Sequence, residues 1–259
     1  MRKFYSVIMP SFDPTSGGIR VIWALYAWLL TKGEIAYPNS VSDDKNFVAI
    51  YPEIYKGNEA GAYTVVRYLL NKPGVMGLYG QPGPTEFPKS DLIYTFSKMF
   101  YNTDDEHTLF LPILNLNIFN DQRRKRNKVA YFVGKGKNIN AHPNKAIEIT
   151  RELAQDQQRL ADILNECQVL YSYDPVSAMT EISRLCGCRV VLNQDKYSEE
   201  EYKLYEPGLN GMGFGKDVEL DVNGFRTSYK AVKQTFSDRL DKFIIETQNY
   251  KPKIAYYPV

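Results

Sequence analysis

The sequence predicts an α/β protein that is built from parallel sheets and divided into two domains. Short apolar segments rich in β-branched and aromatic residues alternate with longer segments of helical periodicity, as in parallel strands joined by helical crossovers. A chain of 259 residues can form one large domain or two small ones. The pattern changes around a basic run at 123–126, so we predict domains at 1–118 and 119–227, followed by a terminal helical segment at 228–259.

The first domain is predicted to open with a strand, a polar loop and a helix. Residues 4–9 are mostly β-branched and aromatic, and the helix that follows the loop is closed by Gly33. A second helix is predicted further along because Val65, Val66, Leu69 and Leu70 share one side of it. The predicted strands are 4–9, 47–51 and 92–96, and the predicted helices are 19–31 and 62–70.

The second domain is predicted to repeat this alternation after the basic run. Its last helix has apolar residues at near-perfect helical spacing, which are Tyr229, Val232, Phe236, Leu240, Phe243 and Ile244. The predicted strands are 129–133, 146–150, 170–173 and 189–192, and the predicted helices are 155–166, 176–185 and 228–247.

Composition excludes several classes of protein. A net charge of +2 with 24% charged residues provides no broad basic surface for nucleic acid. The apolar run at 19–30 is interrupted by Arg20, which predicts a core helix and no transmembrane segment. The start of the chain breaks at Pro10 and is interpreted as a strand, not a signal peptide. Three cysteines without a disulfide or zinc spacing indicate a reducing compartment, so we expect a cytoplasmic protein.

Charged and histidine clusters elsewhere have simple interpretations. The basic run at 123–126 is expected to be a solvated linker, and the acidic cluster at 104–106 an exposed turn. The only histidines, His107 and His142, lack metal-ligand spacing, and we expect His142 to lie on the surface. The sequence therefore predicts no metal site.

Two glycine-containing loops are candidates for ligand binding. Gly17 and Gly18 precede a helix, where backbone N–H groups can approach a ligand closely; the alternative is an ordinary strand-to-helix turn. The loop at 134–138 follows a strand, which is where α/β sheets bind ligands. It fits a dinucleotide fingerprint poorly, because Ile139 occupies the position of the third glycine.

The segment at 171–192 combines a strand end, an acidic loop, a helix and another strand. Asp174 and Pro175 turn the backbone, and Ser177 lies where the next helix would present free N–H groups to an anion. Ser177 and Glu181 are one turn apart on the predicted helix, so a hydroxyl and a carboxylate could contact one ligand. We expect Gly187 to end the helix, because glycine can take the left-handed conformation.

This segment, YSYDPVSAMTEISRLCGCRVVL, resembles the donor-binding half of GT-B glycosyltransferases, in particular retaining, family 4-like enzymes of polysaccharide biosynthesis. Those enzymes carry two acids eight positions apart before a glycine and an apolar strand. Their spacing places the first acid at Asp174 and the second at Ile182, so the sugar or ribose contact is assigned to the neighbouring Glu181. The motifs SGGIRV, GAYTVVRYLLNKPG and FVGKGKN occur in the matching order.

The resemblance implies a compact GT-B fold, which has two Rossmann-like domains with a cleft between them. It implies a metal-independent hexosyl- or deoxyhexosyltransferase that moves a sugar from a nucleoside-diphosphate sugar, bound by the second domain, to a glycan acceptor at the first. No other cofactor is implied. The alternative is a non-catalytic nucleotide- or glycan-binding module of the same fold, which Ile182 at an acid position would favour.

The resemblance also assigns roles to individual residues. A basic residue after the glycine faces the donor pyrophosphate in such enzymes, and Lys135 matches it, with Lys137 as a second candidate; the alternative is a solvated loop lysine. The expected catalytic residues are Asp174, Glu181 and Lys135, and the expected ligand-binding residues are Gly17, Gly18, Gly134, Lys135, Lys137, Tyr173, Ser177 and Glu181.

Overall fold

The computed structural model describes residues 2–136, 139–215 and 222–251. The chain forms two compact units: the first runs to Ile113 and resumes at Lys233, and the second is Leu114–Val232. Each unit has its own five-stranded sheet in which all strands are parallel. The predicted α/β class with parallel sheets is therefore confirmed, and the two sheets are consistent with two Rossmann-like domains.

The first sheet has the strand order β2-β1-β3-β4-β5. Helix α1, Gly17–Thr31, follows β1 and begins where the Ser16 side chain accepts a hydrogen bond from the backbone of Ile19. Its buried face packs into the same apolar core as β1, β3 and β4. The strands are β1 (Tyr5–Val7), β2 (Ala36–Pro38), β3 (Val48–Pro52), β4 (Thr64–Leu69) and β5 (Leu92–Thr95).

The helix predicted at 62–70 is wrong, because Thr64–Leu69 is the strand β4. It lies between β3 and β5, and all six of its residues are buried. A strand that is covered on both faces loses the alternation of apolar and polar residues, so its apolar positions can imitate helical spacing. The β-branched Thr64, Val65 and Val66 favour the extended conformation, as the structure shows.

The second sheet has the strand order β10-β9-β8-β6-β7. Its strands are β6 (Lys128–Phe132), β7 (Ile147–Glu148), β8 (Cys167–Ser172), β9 (Arg189–Leu192) and β10 (Met212–Phe214). The helices that follow α1 along the chain are α2 (Arg151–Gln155), α3 (Gln157–Glu166), α4 (Met179–Leu185), α5 (Glu199–Tyr202) and α6 (Phe225–Asn249).

Differences from the prediction in this unit are local. The helix predicted at 155–166 is present as α3, which begins two residues later than predicted and is capped by the Asp156 side chain, whereas α2 before it was not predicted. Helix α4 begins at Met179, three residues later than predicted, and Gly187 closes it at φ +77° as expected. The short strands β2 and β10 were not predicted.

Both sheets have the same strand order when each is counted from its own first strand. In the second sheet β6 lies between β7 and β8. The chain therefore adds its next strand, β7, on one side of β6 and the strand after that, β8, on the other side. Open parallel sheets bind ligands beyond the carboxyl ends of their strands at such a switch point. The loops that follow β6 and β8 are therefore where the fold favours a site.

No helix of the described ranges is both long and apolar enough to cross a membrane.

Candidate functional site

The loop after β6 packs directly against the residues that follow β8. Phe132 and Ser172 are paired at the end of the two strands, and the backbone N–H of Tyr173 donates to the Phe132 carbonyl at 2.9 Å. A β-carbon on Gly134 would collide with the Asp174 carboxylate and lie 2.7 Å from the Phe132 ring. One on Gly136 would lie 2.6 Å from the carbonyl carbon of Tyr173. Only glycine at positions 134 and 136 therefore allows the loop to pack this closely against the residues after β8.

Asp174 holds the loop through its side chain. The backbone N–H of Lys135 donates to Asp174 Oδ2 at 3.1 Å, and that of Val176 donates to Oδ1 at 3.0 Å. The Lys135 ammonium lies 3.9 Å from Oδ1, and the lysine side chain is 42% exposed. Burial raises the pKa of Asp174 above its ordinary value, although Lys135 and the two N–H groups stabilise its carboxylate. The arrangement leaves Lys135 with a backbone that is fixed and an ammonium group that reaches solvent.

Tyr173 is buried, with 1% of its surface exposed, and its hydroxyl is used within the protein. The backbone N–H groups of Ala141 and His142 donate to this oxygen at 2.9 and 3.1 Å, and His142 Nδ1 lies 2.8 Å from it. The His142 ring also stacks on Tyr131, with centroids 3.8 Å apart. His142 is thus partly buried between Tyr131 and Tyr173, whereas we expected it to lie on the surface.

Ser177 lies in the turn before α4. Its hydroxyl oxygen accepts from the backbone N–H of Met179 at 3.1 Å, and its carbonyl accepts from the Thr180 hydroxyl at 3.0 Å. Because α4 begins at Met179 and has only seven residues, Ser177 and Glu181 do not share a helical face as predicted.

Glu181 belongs to a buried network. Only 5% of its surface is exposed, and its carboxylate accepts a hydrogen bond from the Tyr205 hydroxyl. Burial raises the pKa of Tyr205 well above its ordinary value, and Glu181 adds to this effect, so the hydroxyl keeps its proton and donates. The nearby Tyr202 hydroxyl donates to the carbonyl of Pro175. The segment after β9 is therefore tied both to α4 and to the residue next to Asp174.

Arg184, which sequence reasoning missed, completes this network. Its Nε donates to the carbonyl of Thr180, its Nη1 donates to those of Gly208 and Asn210, and the guanidinium lies 3.8 Å from the Phe225 ring centre. Its Nη2 is buried and has no hydrogen-bond partner among the described residues. Burial lowers the pKa of Arg184 to about 10, and Glu181 opposes this shift. Its position three residues after Glu181 on the same helix, where two opposite charges can interact, was the available signal.

The remaining expected residues are not gathered at this place. Gly17 and Gly18 lie in the first unit, in the first turn of α1. A β-carbon on Gly17 would meet no atom within 4 Å, and one on Gly18 would be 3.8 Å from Leu70, so the protein's own packing does not require glycine there. Lys137 lies outside the described residues. The structure brings Gly134, Lys135, Tyr173 and Asp174 together, with Ser177 and Glu181 in the turn and helix that follow.

The acidic cluster at 104–106 is paired with cations of the first unit. Asp104 contacts His107, Asp105 contacts Lys98, and Glu106 contacts Lys242. Each carboxylate therefore has a protein partner, as expected of an ordinary charged surface turn.

Comparison with known proteins identifies no family. No family model and no curated protein match the chain significantly. An uncharacterized protein from Klebsiella pneumoniae is similar in structure, with TM-score 0.46 and 13% identity over 83% of this chain and 93% of that one. The glycosyltransferase SnogD from Streptomyces nogalater has TM-score 0.37 and 10% identity, over 95% of this chain and 100% of its own. The spinosyn forosaminyltransferase SpnP has TM-score 0.37 and 8% identity, over 96% of each chain. With TM-scores below 0.5, these similarities assign neither fold nor function.

Proposed function

We propose that the protein is a GT-B glycosyltransferase that moves a sugar from a nucleoside-diphosphate sugar to a glycan acceptor. The observation that carries the proposal is the contact between the loop at 134–136 and Tyr173–Asp174 at the switch point of the second sheet. This is where an open parallel sheet binds ligands, and it is where the resemblance to GT-B enzymes assigns the donor. The second unit would bind the donor, and the first unit would bind the acceptor.

A site that transfers a sugar from such a donor must stabilise the diphosphate as it leaves. The Lys135 side chain is 42% exposed and its ammonium lies 3.9 Å from Asp174, so the ammonium can turn toward a more strongly charged pyrophosphate while the backbone stays fixed. Asp174 would hold the loop and meet the sugar, and Glu181 would accept hydroxyl groups of the ligand in place of Tyr205. The other proposed ligand contacts are Gly17, Gly18, Gly134, Lys137 and Ser177, while Tyr173, whose hydroxyl is bonded within the protein, would act by holding the loop.

The test measures nucleotide binding and sugar transfer in the same variants. We expect Lys135→Ala to weaken binding of nucleoside diphosphates and to reduce transfer at least about tenfold, because it removes a charge that acts on the leaving group. Lys145→Ala, at an exposed lysine of the same unit, is the matched control. Calorimetry with adenosine, guanosine, uridine and thymidine diphosphates identifies the base. Equal binding and turnover in wild type and Lys135→Ala would refute the assignment.

Glu181 is tested with a substitution that keeps the shape of the side chain. In Glu181→Gln the amide oxygen can still accept from the Tyr205 hydroxyl, so the buried network remains bonded while the negative charge is lost. We expect the transfer rate to be lower by at least about tenfold. Equal thermal unfolding midpoints of the variant and the wild type would show that folding is intact. Wild-type kinetics in this variant would remove Glu181 from the site.

A non-catalytic nucleotide- or glycan-binding module is the second candidate. Two observations favour it: Ile182 occupies the position of the family's second acid, and the Glu181 carboxylate is already bonded to Tyr205. Tight binding of a nucleoside diphosphate without transfer or hydrolysis of any donor sugar would establish the module instead of the enzyme.

For the compartment we propose the cytoplasm. Cys167, Cys186 and Cys188 are all free and buried, which suits a reducing environment.

A further inference from the structure

The loop that carries Lys135 is tied at both ends to two consecutive residues at the end of β8. Its first end is held by Asp174 through the backbone of Lys135, and its second end is held by Tyr173 through the backbone of Ala141 and His142. We propose that His142 is a positioning residue: its Nδ1 accepts the Tyr173 hydroxyl proton and thereby orients that hydroxyl to hold the loop. The inference rests on the proposed function, in which this loop binds the diphosphate.

A count of hydrogen bonds at the Tyr173 oxygen gives the direction of this contact. A hydroxyl has one proton to donate and two lone pairs that accept. The N–H groups of Ala141 and His142, at 2.9 and 3.1 Å, occupy both lone pairs. The proton is therefore left for His142 Nδ1 at 2.8 Å, so this nitrogen must be an acceptor. The geometry assigns the His142 tautomer that carries its proton on Nε2.

The ring is held in this orientation from the side of the sheet. It lies parallel to the ring of Tyr131, at an interplanar angle of 6°, and Tyr131 is a residue of β6. The Tyr131 hydroxyl in turn donates to Glu148 of β7 at 3.0 Å. His142 therefore contacts β6 by stacking on Tyr131 and the end of β8 through the Tyr173 hydroxyl, and Tyr131 continues the connection to β7 by its hydrogen bond to Glu148.

Three substitutions at His142 separate this role from others. The side-chain oxygen of asparagine can occupy the place of Nδ1, whereas the amide of glutamine reaches the place of Nε2, and alanine supplies neither. We expect His142→Asn to bind the preferred nucleoside diphosphate nearly as wild type does. We expect His142→Gln and His142→Ala to bind it about fivefold or more weakly, the effect of losing one hydrogen bond.

Other orders of affinity would overturn the proposal. Affinity kept by His142→Gln and lost by His142→Asn would mean that Nε2 contacts the ligand directly. Equal affinity in all three variants, whether lowered or unchanged, would mean that Nδ1 does not position the loop.

A second measurement needs no ligand and therefore stands apart from the proposed function. The chain has two histidines, so nitrogen NMR distinguishes their rings once a His107→Gln variant assigns them. We expect His142 Nδ1 to resonate as an unprotonated nitrogen in wild type. We also expect the amides of Ala141 and His142 to exchange slowly in wild type and His142→Asn, and faster in His142→Ala and Tyr173→Phe. A proton on Nδ1, or equal exchange in all four proteins, would overturn the proposal. Failure of every nucleotide to bind wild type would instead refute the proposed function.

Discussion

Gly134 is a single residue whose replacement should disturb the site directly. Its φ of +53° lies in the left-handed region that favours glycine, and a β-carbon would collide with the Asp174 carboxylate. We expect Gly134→Ala to lower the free energy of unfolding by about 1–3 kcal/mol, the usual cost of a strained backbone position. Urea denaturation measures it. Gly57→Ala is the control, because the nearest atom to its β-carbon would be 3.8 Å away; equal losses in the two variants would contradict the account.

Arg126 shows how a residue in a charge run can be structural. The run was predicted to be a solvated linker, but the Arg126 guanidinium donates to the carbonyls of Leu164, Cys167 and Cys186 and to the Asp121 carboxylate. It thereby joins the end of α3, the start of β8 and the end of α4.

We expect Arg126→Ala to lower the free energy of unfolding by about 1–3 kcal/mol, because buried carbonyls lose a charged donor. Urea denaturation of the neighbouring Lys125→Ala variant is the control, since Lys125 is exposed. A loss no larger than that of the control would show that water replaces the guanidinium at no cost.

At the scale of elements, His107 joins the turn at 104–107 to α6. Its Nδ1 lies 2.7 Å from Asp104, and its Nε2 lies 3.3 Å from Glu246. Burial lowers the pKa of His107, but the hydrogen bonds and charges of Asp104 and Glu246 outweigh it, so the pKa lies above its ordinary value of 6.5. The folded protein therefore binds this proton more tightly than the unfolded chain does.

The consequence is a stability contribution that depends on pH. It is fully present below the ordinary pKa and disappears as the pH rises through the folded-state pKa. We expect His107→Gln to lower the free energy of unfolding more at about pH 5.5 than at about pH 8.5, because only the lower pH keeps the imidazolium in the wild type. Urea denaturation at the two pH values checks this, and a larger loss at the higher pH would contradict it.

Elements with a clear local pattern could be predicted from the sequence. Helix α1 has Val21, Ile22, Leu25 and Leu29 on its buried face, and Gly33 follows at φ +79°. Strand β4 could not be predicted in the same way, because its central position buries every residue and removes the alternation that identifies a strand. The short β2 and β10 offer three residues each, which is too few for a periodic signal.

At the scale of the whole molecule, the site depends on contacts between distant parts of the sequence. The resemblance placed Lys135 and Asp174, which are 39 positions apart, in one site, and they are in contact. The resemblance offered no reason to pair His142 with Tyr173 or Tyr205 with Glu181, because His142 and Tyr205 lie outside the quoted motifs. Strand order brings them together, and strand order follows from packing of the whole sheet, not from local periodicity.

The two sheets share one strand order, so each unit has a switch point at the carboxyl ends of its strands. In the second unit the loop at 134–136 and Tyr173–Asp174 meet at that point, and this placement is the basis of the proposed donor site. A crystal structure with a bound nucleoside diphosphate tests it most directly. We expect a phosphate oxygen within about 3 Å of Lys135 Nζ, the distance of a charged hydrogen bond, and against the loop at 134–136. A diphosphate bound elsewhere, with Lys135 still facing Asp174, would contradict the account.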